Sequence, residues 1–199
     1  MLIDTLIKNN HAWAKGRAQA DPNFFPELAK GQSPEALWIG CADSRVPPEQ
    51  LAGANPGDLF VHRNVANLVS SGDVNLMAVV AYAVDHLKVK HLIVCGHEGC
   101  GGVAAAHDGG VGGIIDHWIA PIMETLVDNA AELNALPDRA SRVERLVELN
   151  VEEQVQQLGL SPNVRAAWKR GQELTIHGLV FELSTGKVRD LGVSQHAPE

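Results

Sequence analysis

Two near-continuous apolar runs, Ala36-Leu37-Trp38-Ile39-Gly40 and His91-Leu92-Ile93-Val94-Cys95-Gly96, constrain this chain more than any other feature. Runs of this kind read as strands buried on both faces, the habit of a parallel sheet. Each run leads into a cluster of chemically active residues. Cys41-Ala42-Asp43-Ser44-Arg45 follows the first and His97-Glu98-Gly99-Cys100 the second. Both clusters therefore fall where a strand gives way to a loop, the edge at which open α/β sheets bind ligands. Two thiols, an imidazole and a carboxylate at that edge make a full tetrahedral donor set for Zn²⁺.

The remaining pattern is that of a single domain of alternating strands and helices, which implies a mainly parallel sheet with right-handed crossovers. Strands are expected at 36–41, 58–62, 91–96, 174–183 and 187–191. Asp73 to Leu87 reads as a deeply buried helix, apolar on most sides. Ile114 to Asn129 reads as a helix kinked or broken near Pro121. Ser141-x-x-Glu144 matches a capping box and is expected to open a helix with Val143, Leu146, Val147, Val151, Val155 and Leu158 on one face, stopped by Gly159. Ser161-Pro162 starts another, ending near Gly171. Residues 1–33 read as a helical arm before a core at 34–199. Leu2, Ile3, Leu6, Ile7, Trp13 and Ala14 recur at roughly helical spacing in that arm. They fit a stripe lying on a neighbouring subunit or on the chain's own core. Gly109 to Gly113 reads as a mobile loop. It lacks a following Lys-Ser/Thr and is no phosphate-binding loop.

Composition narrows the function. The 24 acidic residues outweigh 16 basic ones, giving a net charge of −8, and no Lys/Arg cluster interrupts this, so nucleic acid is not an expected partner. No apolar run approaches the roughly 18–20 residues of a membrane span. Met1-Leu2-Ile3-Asp4 lacks the basic-then-apolar pattern of a signal peptide. Three cysteines, an odd and sparse count, fit a reducing cytosol in which Cys serves metals or catalysis. A cytoplasmic location is therefore expected.

Cys41, His97 and Cys100 are the candidate metal ligands. A Cys three residues after a His suits a loop turning into a helix N-terminus, where free N–H groups favour a thiolate. Two buried structural cysteines beside a hydrogen-bonded histidine remain the alternative. Asp43 with Arg45 two residues on weighs against it, because such a charged pair beside buried thiols is costly unless it is functional. A zinc deaminase requires H-x-E, and Gly99 stands where that Glu belongs. A thioredoxin-type site requires C-x-x-C, whereas four residues separate Cys95 from Cys100. Cys95, inside an apolar strand, reads as an inert core thiol. His62, His91 and His177 read as satisfied buried or edge histidines, and His107-Asp108 as an exposed loop pair.

Cys41-Ala42-Asp43-Ser44-Arg45-Val46-Pro47 resembles the C-x-D-S-R-V-P signature of the β-class carbonic anhydrases. Cys95-Gly96-His97-Glu98-Gly99-Cys100-Gly101-Gly102 resembles their C-G-H-x-x-C-G-G signature. Val61 to Asn67, Asn150-Val151-x-x-Gln154-Val155-x-x-Leu158 and His177-Gly178 resemble further blocks, so the likeness runs from about residue 2 to 192. The resemblance implies a doubly wound α/β fold with helices flanking a mainly parallel sheet and a helical N-terminal arm wrapped on a partner. It implies a dimer, often doubled to a tetramer, and one zinc ion on Cys41, His97 and Cys100 with Asp43 as fourth ligand or catalytic partner. The implied activity is reversible hydration of CO₂ to bicarbonate and a proton by zinc-bound hydroxide. Arg45 would hold Asp43 off the metal, Gly101 and Gly102 would let backbone N–H groups approach the substrate, and Val46 would line its pocket. Two thiolate ligands weight the activity to alkaline pH. Trp38, Gly40 and Arg63 resemble the regulatory bicarbonate site of a pH-switched subgroup; Phe181 stands where that subgroup places a tyrosine.

Two rivals share these residues. A carbonyl sulfide or carbon disulfide hydrolase would keep the ligands and differ in pocket gating. A zinc-stapled scaffold would close the metal site, which the Asp43/Arg45 pair argues against.

Overall fold

The structure, a computed structural model, describes residues 2–198. The chain divides into two compact units, one running to Ser33 and the other starting at Pro34. The first holds α1 (Leu2–Ala20) and α2 (Phe24–Leu28). Trp13, Phe24 and Phe25 join them through edge-to-face contacts, with ring centroids 5.0 to 6.3 Å apart, and the Arg17 guanidinium lies over Phe24. No residue of α1 is buried within the chain, and Leu2, Ile3, Leu6 and Ile7 are all at least half exposed.

The second unit is built on a five-stranded sheet of order β2-β1-β3-β4-β5. Its strands are β1 (Ala36–Cys41), β2 (Leu59–Asn64), β3 (His91–His97), β4 (Thr175–Glu182) and β5 (Lys187–Asp190). The first four run parallel and β5 returns antiparallel along β4. Every residue of β1 is buried, as its unbroken apolar run predicts. The connecting helices are α3 (Pro48–Ala52), α4 (Val74–Ala81), α5 (Gly101–His107), α6 (Ile114–Asp128), α7 (Ala130–Asn134), α8 (Arg139–Leu160) and α9 (Pro162–Lys169). No helix among the described residues is long and apolar enough to cross a membrane.

Several local expectations are corrected. Asp73 caps α4 by accepting from Asn75 and Leu76 N–H, and the helix continues as π-helical turns over Tyr82–Leu87. Its burial is one-sided: Leu76, Val80, Ala83 and Val84 are buried, while Val74 is exposed and Tyr82 stacks on His86. α6 runs through Pro121 without a break. Asp138 caps α8 by accepting from Ser141 N–H, so the helix opens before the Ser141/Glu144 box and Ser141 is not its cap. Gly159 does not stop α8, which ends at Leu160. A Cβ there would meet the flexible end of the Gln195 side chain. The glycine loop after α5 is fastened by the Asp116 carboxylate, which accepts from Val111 and Gly112 N–H at 2.8 and 3.0 Å. His91 and His177 hydrogen-bond each other at 3.1 Å, but His62 keeps its Nε2 buried with no partner.

The apolar stripe of α8 packs on β3 and β4 where two glycines admit it. A Cβ on Gly96 would lie 2.7 Å from Val151, and one on Gly178 would lie 2.6 Å from Val193 and 3.1 Å from Val151. Gly178→Ala should therefore destabilise the protein by about 1–3 kcal/mol, the usual range for overpacking; urea denaturation measures it.

Candidate metal centre

The parallel register brings two strand ends together. Gly40 pairs with Cys95, so Cys41 at the end of β1 lies beside Gly96, and His97 closes β3 one residue later. Gly99, at φ 62°, turns the chain so that Cys100 becomes the N-cap of α5. Cys41, His97 and Cys100 are all buried, and their ligand atoms lie within 4.8 Å of one another. The two sulfurs are 4.0 Å apart. Two Zn–S bonds of 2.3 Å at a tetrahedral angle require about 3.8 Å. Nδ1 of His97 hydrogen-bonds the Glu98 carbonyl at 2.8 Å, which turns Nε2 toward the sulfurs, and that nitrogen is buried with no hydrogen-bond partner among the described residues. An orphaned imidazole nitrogen between two thiols fits a thiophilic cation such as zinc.

The charges around the thiols are arranged to match. The hydrogen bond from Cys100, working against burial and aided by His97 and the amides of Asp43 and Ala66, pushes the Cys41 thiol down. The same sulfur contact, reinforced by burial, pushes Cys100 up. Burial opposes protonation of His97, but Cys41, the Glu98 carbonyl and Asp43 outweigh it and raise its pKa.

Asp43 stands at the rim, its Oδ2 3.9 Å from His97 Nε2. Arg45 grips it with Nε on Oδ1 at 2.9 Å and Nη2 on Oδ2 at 2.7 Å, and the Arg45 amide adds a third bond to Oδ1. These bonds hold the Asp43 carboxyl well below the usual carboxylate range. The Arg45 side chain is 55% exposed, so solvent reaches the outer side of this pair.

The carbonic anhydrase family model matches residues 36–188. The chain belongs to the β-carbonic anhydrase family. A carbonic anhydrase of Emericella nidulans is 44% identical over 190 residues, covering 96% of this chain and 83% of the relative. Among solved structures, a β-carbonic anhydrase of Sordaria macrospora, one of two described as tetrameric, superposes with a TM-score of 0.93 at 45% identity over 98% of this chain and 99% of that one. A Coccomyxa β-carbonic anhydrase in complex with acetazolamide gives 0.89 at 45% identity, covering 94% of this chain and 85% of that one.

The other residues singled out in the sequence take varied places. Val46 is buried just beyond the Asp43 turn. Gly101 faces open space, whereas Gly102 is dictated by packing: a Cβ there would fall 2.9 Å from Val65 and 3.1 Å from Ala66. The Trp38 indole fills the space over Gly40, where a Cβ would meet its Nε1 at 2.7 Å. Arg63, opposite Gly40 on β2, spends its guanidinium on the Cys41 and Asp43 carbonyls and so braces the ligand loop. Phe181 pairs with His97 on β4, two strands away from Gly40.

Beyond these, the structure reveals polar residues behind the centre that sequence reasoning assigned no role. Asn150 and Gln154 on α8 are each 1% exposed, and Ala66 and Asn67 adopt left-handed φ of 64° and 49°. Strain of this kind costs on the order of 1–3 kcal/mol per residue. The sequence signal was two amides four residues apart inside the apolar stripe of α8.

Cys95 is the one cysteine outside the cluster, and burial pushes its thiol up to about 12. At pH 8 only about one molecule in ten thousand would carry its thiolate. Mass mapping after iodoacetamide treatment should find Cys95 unmodified in the native protein and alkylated after unfolding in guanidinium.

Proposed function

We propose that this chain catalyses the reversible hydration of CO₂ to bicarbonate and a proton at a zinc centre held by Cys41, His97 and Cys100. The observation that carries this reading is the unpartnered Nε2 of His97 facing two sulfurs while the fourth candidate donor, Asp43, is committed to Arg45. Three protein donors with a fourth position left to solvent is the arrangement of a catalytic rather than a structural zinc site. Bound zinc would supply Lewis acidity that lowers the pKa of its water, less strongly here because two thiolates offset its charge, which weights the activity to alkaline pH.

The chain's own residues do the rest. The Asp43 carboxylate, kept ionised by Arg45, accepts a hydrogen bond from the attacking water and orients its lone pair. Arg45 keeps Asp43 off the metal, so Asp43 serves as an acceptor and not as a fourth ligand. Arg63 fixes the Cys41–Asp43 loop through its carbonyls. Val46 offers an apolar wall to a substrate with no net dipole, and open Gly101 leaves room for it beside the ligand Cys100.

The exposed stripe of α1 supports self-association, and the tetrameric Sordaria relative supports the same reading. Burying Leu2, Ile3, Leu6 and Ile7 against a second copy would remove an apolar surface that is otherwise left in water.

Three outcomes test these readings. Stopped-flow assays of zinc-loaded protein should show CO₂ hydration, and Cys100→Ser should lose both zinc and activity; full zinc occupancy in that variant refutes the ligand set. Arg45→Ala should keep its zinc yet fall by about 10²-fold or more in rate, because the released carboxylate competes for the fourth position. Deleting residues 1–20 should lower the oligomer mass seen by light scattering, and an unchanged mass would contradict the role given to α1.

A further inference from the structure

The turn Val65–Asn67 is held in its left-handed conformation by side chains from distant parts of the fold. Trp118 Nε1 on α6 donates to the Val65 carbonyl at 2.8 Å, and Asn150 Nδ2 on α8 donates to the Ala66 carbonyl at 3.0 Å. Asn64 brackets the turn, accepting from Leu68 N–H and donating to the Leu68 carbonyl, both at 2.8 Å. Gln154 Oε1 accepts from Val69 N–H at 2.8 Å, and its Nε2 donates to Asn150 Oδ1 at 3.0 Å. Two buried amides on α8 thus satisfy each other and this turn.

The other side of the turn bears on the metal centre. Val65 and Ala66 press on Gly102, two residues beyond Cys100, closely enough to forbid a Cβ there. The carbonyl of Asn64 accepts from Ala42 N–H at 2.7 Å, which ties the base of the turn to the residue after Cys41.

We propose that Asn150 and Gln154 are positioning residues of the metal centre, acting through the strained turn Val65–Asn67 to fix the strand end that carries Cys41 and the start of α5. This rests on the reading of Cys41, His97 and Cys100 as metal ligands. Neither amide touches the ligands. Together they lock the turn whose base is tied to the residue after Cys41 and whose side chains press on Gly102, two residues beyond Cys100.

The test uses the full chain with Asn150→Leu and Gln154→Leu. Zinc affinity is measured by chelator competition, and ligand geometry by the thiolate-to-metal absorption bands of the cobalt(II)-substituted protein. Loss of a residue that orients a ligand typically weakens metal binding 10–100-fold. That loss is expected here, with altered cobalt bands. Adding Ala66→Gly should restore part of the affinity, because glycine adopts the left-handed conformation without the strain that the amides otherwise hold in place. Gln154→Glu keeps the acceptor for Val69 N–H and removes the donor to Asn150, so it serves if the leucine variants do not fold; it too should weaken zinc binding. Wild-type zinc affinity and unchanged cobalt bands in the folded variants would overturn the proposal, even with a lowered unfolding temperature. Wild-type protein that takes up no zinc would instead overturn the metal centre itself, and this proposal with it.

Discussion

The buried Nε2 of His97, with no hydrogen-bond partner and two cysteine sulfurs in front of it, is the constraint around which this core is arranged. A buried polar atom left unsatisfied costs about 1–3 kcal/mol, and an apolar side chain at that position would avoid the cost. The arrangement makes energetic sense when a cation binds there, because metal-binding free energy then becomes folding free energy. The strand register follows the same logic: β1 and β3 deliver Cys41 and His97 to one end of the sheet, and Gly99 folds Cys100 back toward them.

A second layer keeps the charges apart. Asp43 lies near enough to His97 Nε2 to compete for the same cation, and a two-pronged grip from Arg45 restrains it. Arg63 works from β2 on the backbone of the same loop and not on the carboxylate. One arginine thus governs the side chain of Asp43 and another its main chain. The division suits the proposed role of Asp43, held close to the metal position without occupying it.

Much of this was legible in the sequence, because it depends on local pattern. The unbroken apolar runs gave β1 and β3, and the residues that follow them gave the candidate ligands, which the structure brings together. What escaped reading depends on contacts made across the fold. Asp138 replaced Ser141 as the cap of α8 because its carboxylate reaches the Ser141 amide. Gly159 read as a helix stop, yet α8 runs one residue past it, and the crowding of Gly102 by the Val65–Ala66 turn comes from a distant segment. The hydrogen bonds of Arg63 to the Cys41 and Asp43 carbonyls depend on the β1–β2 register and could not be read from its sequence position. The left-handed Ala66 and Asn67 were invisible because alanine carries no local preference for that conformation; their clamp comes from α6 and α8.

The central claim is that Cys41, His97 and Cys100 hold one zinc ion whose fourth position stays open to solvent while Arg45 retains Asp43. X-ray absorption at the zinc edge of the active protein tests it most directly. The account predicts two sulfur ligands at about 2.3 Å and two nitrogen or oxygen ligands at about 2.0–2.1 Å. A shell with a single sulfur, or one made only of oxygen and nitrogen, would contradict it.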